Sequence, residues 1–151
     1  MLTSAPCAPP GVSVAIAASA SRCITGSSVV DTVSDAVDGT TSSISNLGNN
    51  RGADGRISLR EAITAANNTA NGGTPDKIIF AIPGSGVRTL NVSSALPTVT
   101  QALIIDATTQ PGYSGNPLVF IDGTNILAES GEPPGLMIYA ANCTVKGLGF
   151  N

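Results

Sequence analysis

Two aspartates offer the first chemistry in this chain. Leu103-Ile104-Ile105-Asp106 and Val119-Phe120-Ile121-Asp122 are apolar runs that end alike, sixteen residues apart, and each aspartate is followed by a small residue and then a threonine. Two carboxylates at a fixed separation are what glycoside hydrolysis uses, one as acid and the other as base or nucleophile. Tyr113, within Pro111-Gly112-Tyr113-Ser114-Gly115, adds an aromatic face able to lie on a sugar ring. Asp106, Tyr113 and Asp122 therefore form a candidate carbohydrate contact. A plainer reading stands beside it: an aspartate closing a strand accepts amide hydrogens from the following turn, and a tyrosine in such a turn packs its ring. The basic residues a lyase would need come down to Arg88 or Lys146, at no readable distance from either aspartate. No catalytic residue is assigned.

A second constellation precedes the first helical pattern. Asn50, Gly52, Asp54, Gly55, Ile57 and Glu61 fall at positions 1, 3, 5, 6, 8 and 12 of an EF-hand-like loop. Calcium would take oxygens from Asn50, Asp54 and Glu61, with Gly55 making the sharp turn. Against this, Gly52 carries no ligand, and Glu61 is also the partner of Ser58 in a Ser-x-x-Glu capping box. The alternative to calcium is a plain helix-start turn, and no other cofactor is indicated.

Composition removes several function classes. There is no histidine, so Ser-His-Asp triads and His-ligated zinc are excluded within this chain. Seven basic against ten acidic residues give a net charge of −3 and a pI near 4.6. That leaves no basic face for nucleic acid. No apolar stretch is long enough to span a bilayer. Cys7, Cys23 and Cys143 lack metal-ligand spacing; Cys7 with Cys23 is the one local disulfide to consider, and space-filling thiols are the plainer account. Asn67, Asn91 and Asn142 head N-x-S/T sequons, which carry meaning only in a glycosylating host.

These residues need elements to hold them. Residues 1–27 read as a flexible leader or a degraded export signal: Val12 to Ala20 is similar to a short apolar core with Ala18-Ser19-Ala20 as a cleavage site, but no basic residue precedes it. Strands are expected from Ser28 to Val33, Lys77 to Ile82, Val87 to Val92, Ala102 to Asp106, Leu118 to Asp122, Leu136 to Ala140 and Thr144 to Phe150. One weak helical turn is expected around Ile44 and Leu47. The clearest signal is a helix from Leu59 to about Asn68. Leu59, Ala62, Ile63 and Ala66 draw a single apolar stripe, Ser58 and Glu61 cap it, and Asn71-Gly72-Gly73 with Pro75 ends it. The echo between the Asp106 and Asp122 runs suggests stacked turns of chain, each repeating the short strand of the one before.

The string Ile57-Ser58-Leu59-Arg60-Glu61-Ala62-Ile63 resembles the CSLREAI domain, found at the head of large exported bacterial proteins. Val29-Val30-Asp31-Thr32, Asp35-Ala36-Val37-Asp38-Gly39, Ala65-Ala66-Asn67-Asn68-Thr69, Asp76-Lys77-Ile78-Ile79-Phe80 and Thr108-Thr109-Gln110-Pro111-Gly112-Tyr113-Ser114-Gly115 extend the likeness in order. Ile57 departs from it by standing where the family name has cysteine. The resemblance implies a mainly β chain: an N-terminal capping α-helix, with a cap over 28–75, leading into the first coils of a right-handed, single-stranded parallel β-helix of the pectin-lyase-like kind over 76–151. On this reading the chain is C-terminally incomplete, and its partner is the downstream coils of the same longer protein. The expected role is a non-catalytic module at the start of a surface or secreted, adhesin-like stalk, with polysaccharide or a host surface as further partners. A carbohydrate-active or carbohydrate-binding protein and a calcium-stabilised adhesion module are the alternatives. The structural residues are then Ser58, Leu59, Glu61, Ala62, Ile63 and Ala66.

Overall fold

The computed structural model describes residues 26–126 and 135–151. The export-signal reading and the proposed Cys7–Cys23 pairing lie outside the described residues.

Seven short strands are present: β1 (Ser27–Val30), β2 (Asp76–Phe80), β3 (Arg88–Asn91), β4 (Leu103–Asp106), β5 (Val119–Asp122), β6 (Thr144–Lys146) and β7 (Leu148–Phe150). Two helices, α1 (Ile44–Asn49) and α2 (Leu59–Asn67), lie between β1 and β2. All strand pairing is parallel. One sheet runs β1-β2-β4-β6 and the other β3-β5-β7, so that from β2 onward successive strands alternate between sheets.

The period-two burial in β2, β4 and β5 follows from this placement. Ile78, Phe80, Leu103, Ile105, Val119 and Ile121 turn inward and are almost fully buried, while Ile79, Ile104 and Phe120 are half-buried on the other face. Both sheets and both helices share one apolar core. Leu59, Ala62, Ile63 and Ala66 enter that core, joined by Ala65 on the flank of the same stripe. Ile57, just before the helix cap, is buried there as well.

The expectation of a single-stranded right-handed parallel β-helix is corrected by this topology. The fold is a small α/β arrangement of two parallel sheets with two short helices, and among the described residues the sheets do not close into a solenoid. Closure needs a third wall of pairing. Between β3 and β4, and before β6, the chain supplies one parallel bridge, Val99 to Ile138, in place of the strand expected over Leu136 to Ala140. The expected strand from Thr144 to Phe150 is likewise cut in two at Gly147. Gly147 has φ +72°, and a Cβ there would lie 2.7 Å from the Thr108 nitrogen, so the chain turns a corner at a point only glycine fits.

One device in the first sheet replaces backbone with side chains. After Asp106 the chain leaves the ladder in a 3-10 turn, Ala107–Thr109, which would strand the last groups of β2. Thr109 Oγ1 accepts from the Phe80 N–H at 2.8 Å. The Gln110 amide then accepts from the Ile82 N–H at 2.9 Å and donates to the Ile82 carbonyl at 2.8 Å. Gln110 is 2% exposed. Gln110→Ala should therefore lower stability by roughly 2–4 kcal/mol, the cost of two buried backbone groups left unpaired. A urea unfolding midpoint checks this.

Candidate functional site

The densest polar cluster lies where α2 begins. Ser58 sits in extended backbone, and its hydroxyl accepts from the Glu61 N–H at 3.2 Å while Glu61 Oε2 accepts from the Ser58 N–H at 2.9 Å. The single hydroxyl proton of Ser58 goes to the Ala36 carbonyl at 2.7 Å. Glu61 reaches further than a cap requires. Its Oε1 accepts from the Asp38 and Gly39 N–H groups at 2.9 and 2.7 Å, and the residue is 1% exposed. A buried carboxylate held by three backbone donors fixes the Ala36–Gly39 turn against the helix.

Neighbouring carboxylates work alike. Asp38 Oδ2 accepts from the Ala53 and Asp54 N–H groups, Asp54 Oδ1 from the Arg56 N–H at 2.7 Å, and Asn50 Oδ1 from the Gly52 N–H. Asn50 Oδ1, Asp54 Oδ1 and both oxygens of Glu61 are thus engaged by their own loop and its neighbour. Among the described residues, no group of three or more histidine, cysteine, aspartate or glutamate side chains gathers to hold a metal. Millimolar calcium should leave the thermal unfolding curve of the chain where it is in chelator; a calcium-dependent rise in Tm would restore the metal reading.

Arg60, on the same helix, was not singled out by spacing or periodicity. It grips Asp35 side-on, Nε to Oδ1 at 2.9 Å and Nη2 to Oδ2 at 2.8 Å, and donates from Nη1 to the Ala95 carbonyl at 2.8 Å. Both side chains are about 15% exposed. This pair ties α2 to the segment before β4. Asn67 does the same two turns later, donating to the Thr98 carbonyl and accepting from the Thr100 N–H. Thr69 Oγ1 accepts from the Ile44 N–H at 2.9 Å, joining α2 to α1. The polar residues of the Ala65–Thr69 stretch are thus clamps between segments.

The two aspartates of the carbohydrate reading stand on different sheets, Asp106 at the end of β4 and Asp122 at the end of β5. Each closes the same Asp-x-Thr turn, accepting the amide and hydroxyl hydrogens of Thr108 or Thr124. The sequence echo is therefore an echo of turn geometry. Those Thr124 bonds hold the half-buried Asp122 carboxyl below the usual range. Tyr113 is half-buried, with its N–H donating to the Gln110 carbonyl at 3.0 Å.

Asp106 has company that Asp122 lacks. Its Oδ2 lies 3.1 Å from Lys146 Nζ, directly opposite on β6, and 3.2 Å from Lys77 Nζ on β2. Burial works to raise its pKa, but the hydrogen bonds from Thr108, Lys146 and Lys77 together with the charge of Lys146 outweigh it, and the group sits below its ordinary 3.8. Asp76 is the opposite case: burial alone pushes it up, and its Oδ2 has no hydrogen-bond partner among the described residues.

The signs of linkage follow. Asp106 contributes stability in full above 3.8, and loses it as pH falls through the lower folded value. Asp76 favours the folded state while protonated, and that contribution fades as pH rises from 3.8 through the higher folded value. Asp106→Asn should lower stability at neutral pH and flatten the loss below 3.8. Asp76→Asn should raise stability at neutral pH and remove the decline above 3.8. Urea midpoints measured from acid to neutral pH separate the two.

Fold and site together define a small α/β protein of parallel sheets whose polar residues are joints between segments. No helix among the described residues is long and apolar enough to cross a membrane. No family model, no curated protein and no solved structure matches the chain.

Proposed function

We propose that this chain is a non-catalytic structural module that closes one end of a stack of parallel strands and presents the other end for continuation. The observation that carries the reading is the asymmetry of the two ends. At one end α1 and α2 pack against β1, and α2 also against β2, with Ile63, Ala65 and Ala66 buried in the shared core. At the other, β6 and β7 have no further strand beside them among the described residues, and Tyr139 and Phe150 are 78% and 56% exposed. An unpaired parallel edge bordered by exposed aromatic side chains is a template for another layer. The resemblance of Ile57–Ile63 and the stretches around it to the CSLREAI domain supports this role and is the reason we assign the module to an exported, cell-surface or adhesin-like protein. The carboxylates support it too, because Glu61, Asp38, Asp54, Asp106 and Asp122 all serve backbone or lysine partners.

Sedimentation of the full chain at rising concentration tests the reading. Association through the open edge is expected, and Tyr139→Lys combined with Phe150→Lys should abolish it. A chain that stays monomeric, with β6 and β7 amides as protected from hydrogen exchange as those of β2, would overturn the proposal.

A further inference from the structure

The last strands of the two sheets fix the character of what can cover them. Val145, Leu148 and Phe150 stand in register on Ile105, Val119 and Ile121. Register partners in a parallel ladder point to the same face, so all three turn toward the core. Their partners are 1% exposed or less, whereas Val145 and Leu148 are half-buried and Phe150 is 56% exposed. The core is open by one layer here, and its pleat sets the phase of the next.

The opposite face of the same edge carries charge. Lys146, the residue after Val145, stands opposite Asp106 with Nζ 3.1 Å from Oδ2, and Lys77 reaches the same oxygen at 3.2 Å. Two ammonium groups share one carboxylate, whose side chain is 4% exposed. Among the described residues no second carboxylate lies within salt-bridge distance of Lys146, and half of its side chain faces solvent. The column Ile79, Asp106, Lys146 therefore ends on an excess positive charge at the open edge.

Resting on the structural role given above, we propose that β6 takes up an extended strand, parallel to itself, with an apolar residue opposite Val145 and an aspartate or glutamate opposite Lys146. β4 already presents this pair, Ile105-Asp106, to β6 from the other side. Backbone hydrogen bonds and cover for the apolar face supply the affinity. The carboxylate selects strand and register, because a slip of one residue would turn the acid toward the core. A strand with lysine at that position is refused, since like charges directly opposite repel.

Fluorescence anisotropy of labelled peptides with the sequence of residues 102–109, added to the full chain below its self-association range, tests this. The native peptide should bind saturably, about threefold more tightly than its Asp106→Asn form and about tenfold more tightly than its Asp106→Lys form, the spread expected of opposite, neutral and like cross-strand charges. That preference should shrink at ~1 M salt, where charges are screened within a few ångströms, and vanish in the Lys146→Gln chain. The variant keeps Lys77 beside Asp106; if it fails to fold, the salt series on the parent chain decides. Equal binding by the three peptides, or a preference that survives high salt or Lys146→Gln, would overturn the proposal. So would a self-associated chain that the native peptide fails to dissociate, which assigns the edge to a second copy. A chain that self-associates yet binds no peptide overturns this inference alone, whereas a monomer with protected edge amides overturns the structural role as well.

Discussion

Replacing Glu61 by alanine should lower the unfolding free energy by about 3–5 kcal/mol, the range for breaking a buried charged network from one side. The magnitude follows from what remains behind. The Ser58, Asp38 and Gly39 N–H groups would all lose an acceptor that is itself 1% exposed. Glu61→Gln keeps the shape and one carbonyl oxygen, so it should cost less than alanine. It still costs, because an amide nitrogen must then face a backbone donor. Comparing urea midpoints of the two variants separates lost packing from lost acceptor capacity. If alanine proves nearly neutral, the turn at Ala36–Gly39 is not held by this carboxylate.

Ile63→Asp should abolish cooperative folding altogether. Ile63 is fully buried in the α2 face that enters the common core, among apolar side chains. An uncompensated charge there costs several kcal/mol beyond the lost hydrocarbon contacts, comparable to the whole stability of a domain this size. Ile63→Val is the control and should cost only about 0.5–1.5 kcal/mol. Far-UV circular dichroism with a thermal melt suffices. An aspartate variant that melts like the parent would mean that α2 does not dock as described.

The α2 region was legible because its signals are local. A serine, a glutamate three residues on and apolar residues at helical spacing specify a capped amphipathic turn whatever surrounds it. The strands β1 to β5 could be placed to within a few residues for the same reason, β-branched runs bounded by glycine, proline and asparagine, whereas the strand expected over Leu136 to Ala140 is a single bridge. The relation between strands was less accessible. Nothing in Thr144–Phe150 states that Gly147 divides it, since the reason is contact with Thr108, nearly forty residues earlier. The Asp106–Asp122 echo misled in the same way. It correctly marks two identical turns, but the sheet each belongs to is set by pairing with β2 and β3. Arg60 and Gln110 were hidden more deeply. A guanidinium bridging Asp35 and Ala95, or an amide imitating a strand, leaves no periodic trace, although both stand inside the strings that resemble the CSLREAI domain.

The amide of Gln110 also divides the labour of the chain that follows. Once it has satisfied Ile82 on both sides, the stretch from Pro111 to Pro117 owes β2 no hydrogen bond before β5 begins. Residues relieved of such a duty can change in length without unzipping a neighbour. Insertions belong there, downstream of the glutamine, and a single residue added upstream between Asp106 and Gln110 would pull the imitation strand out of step.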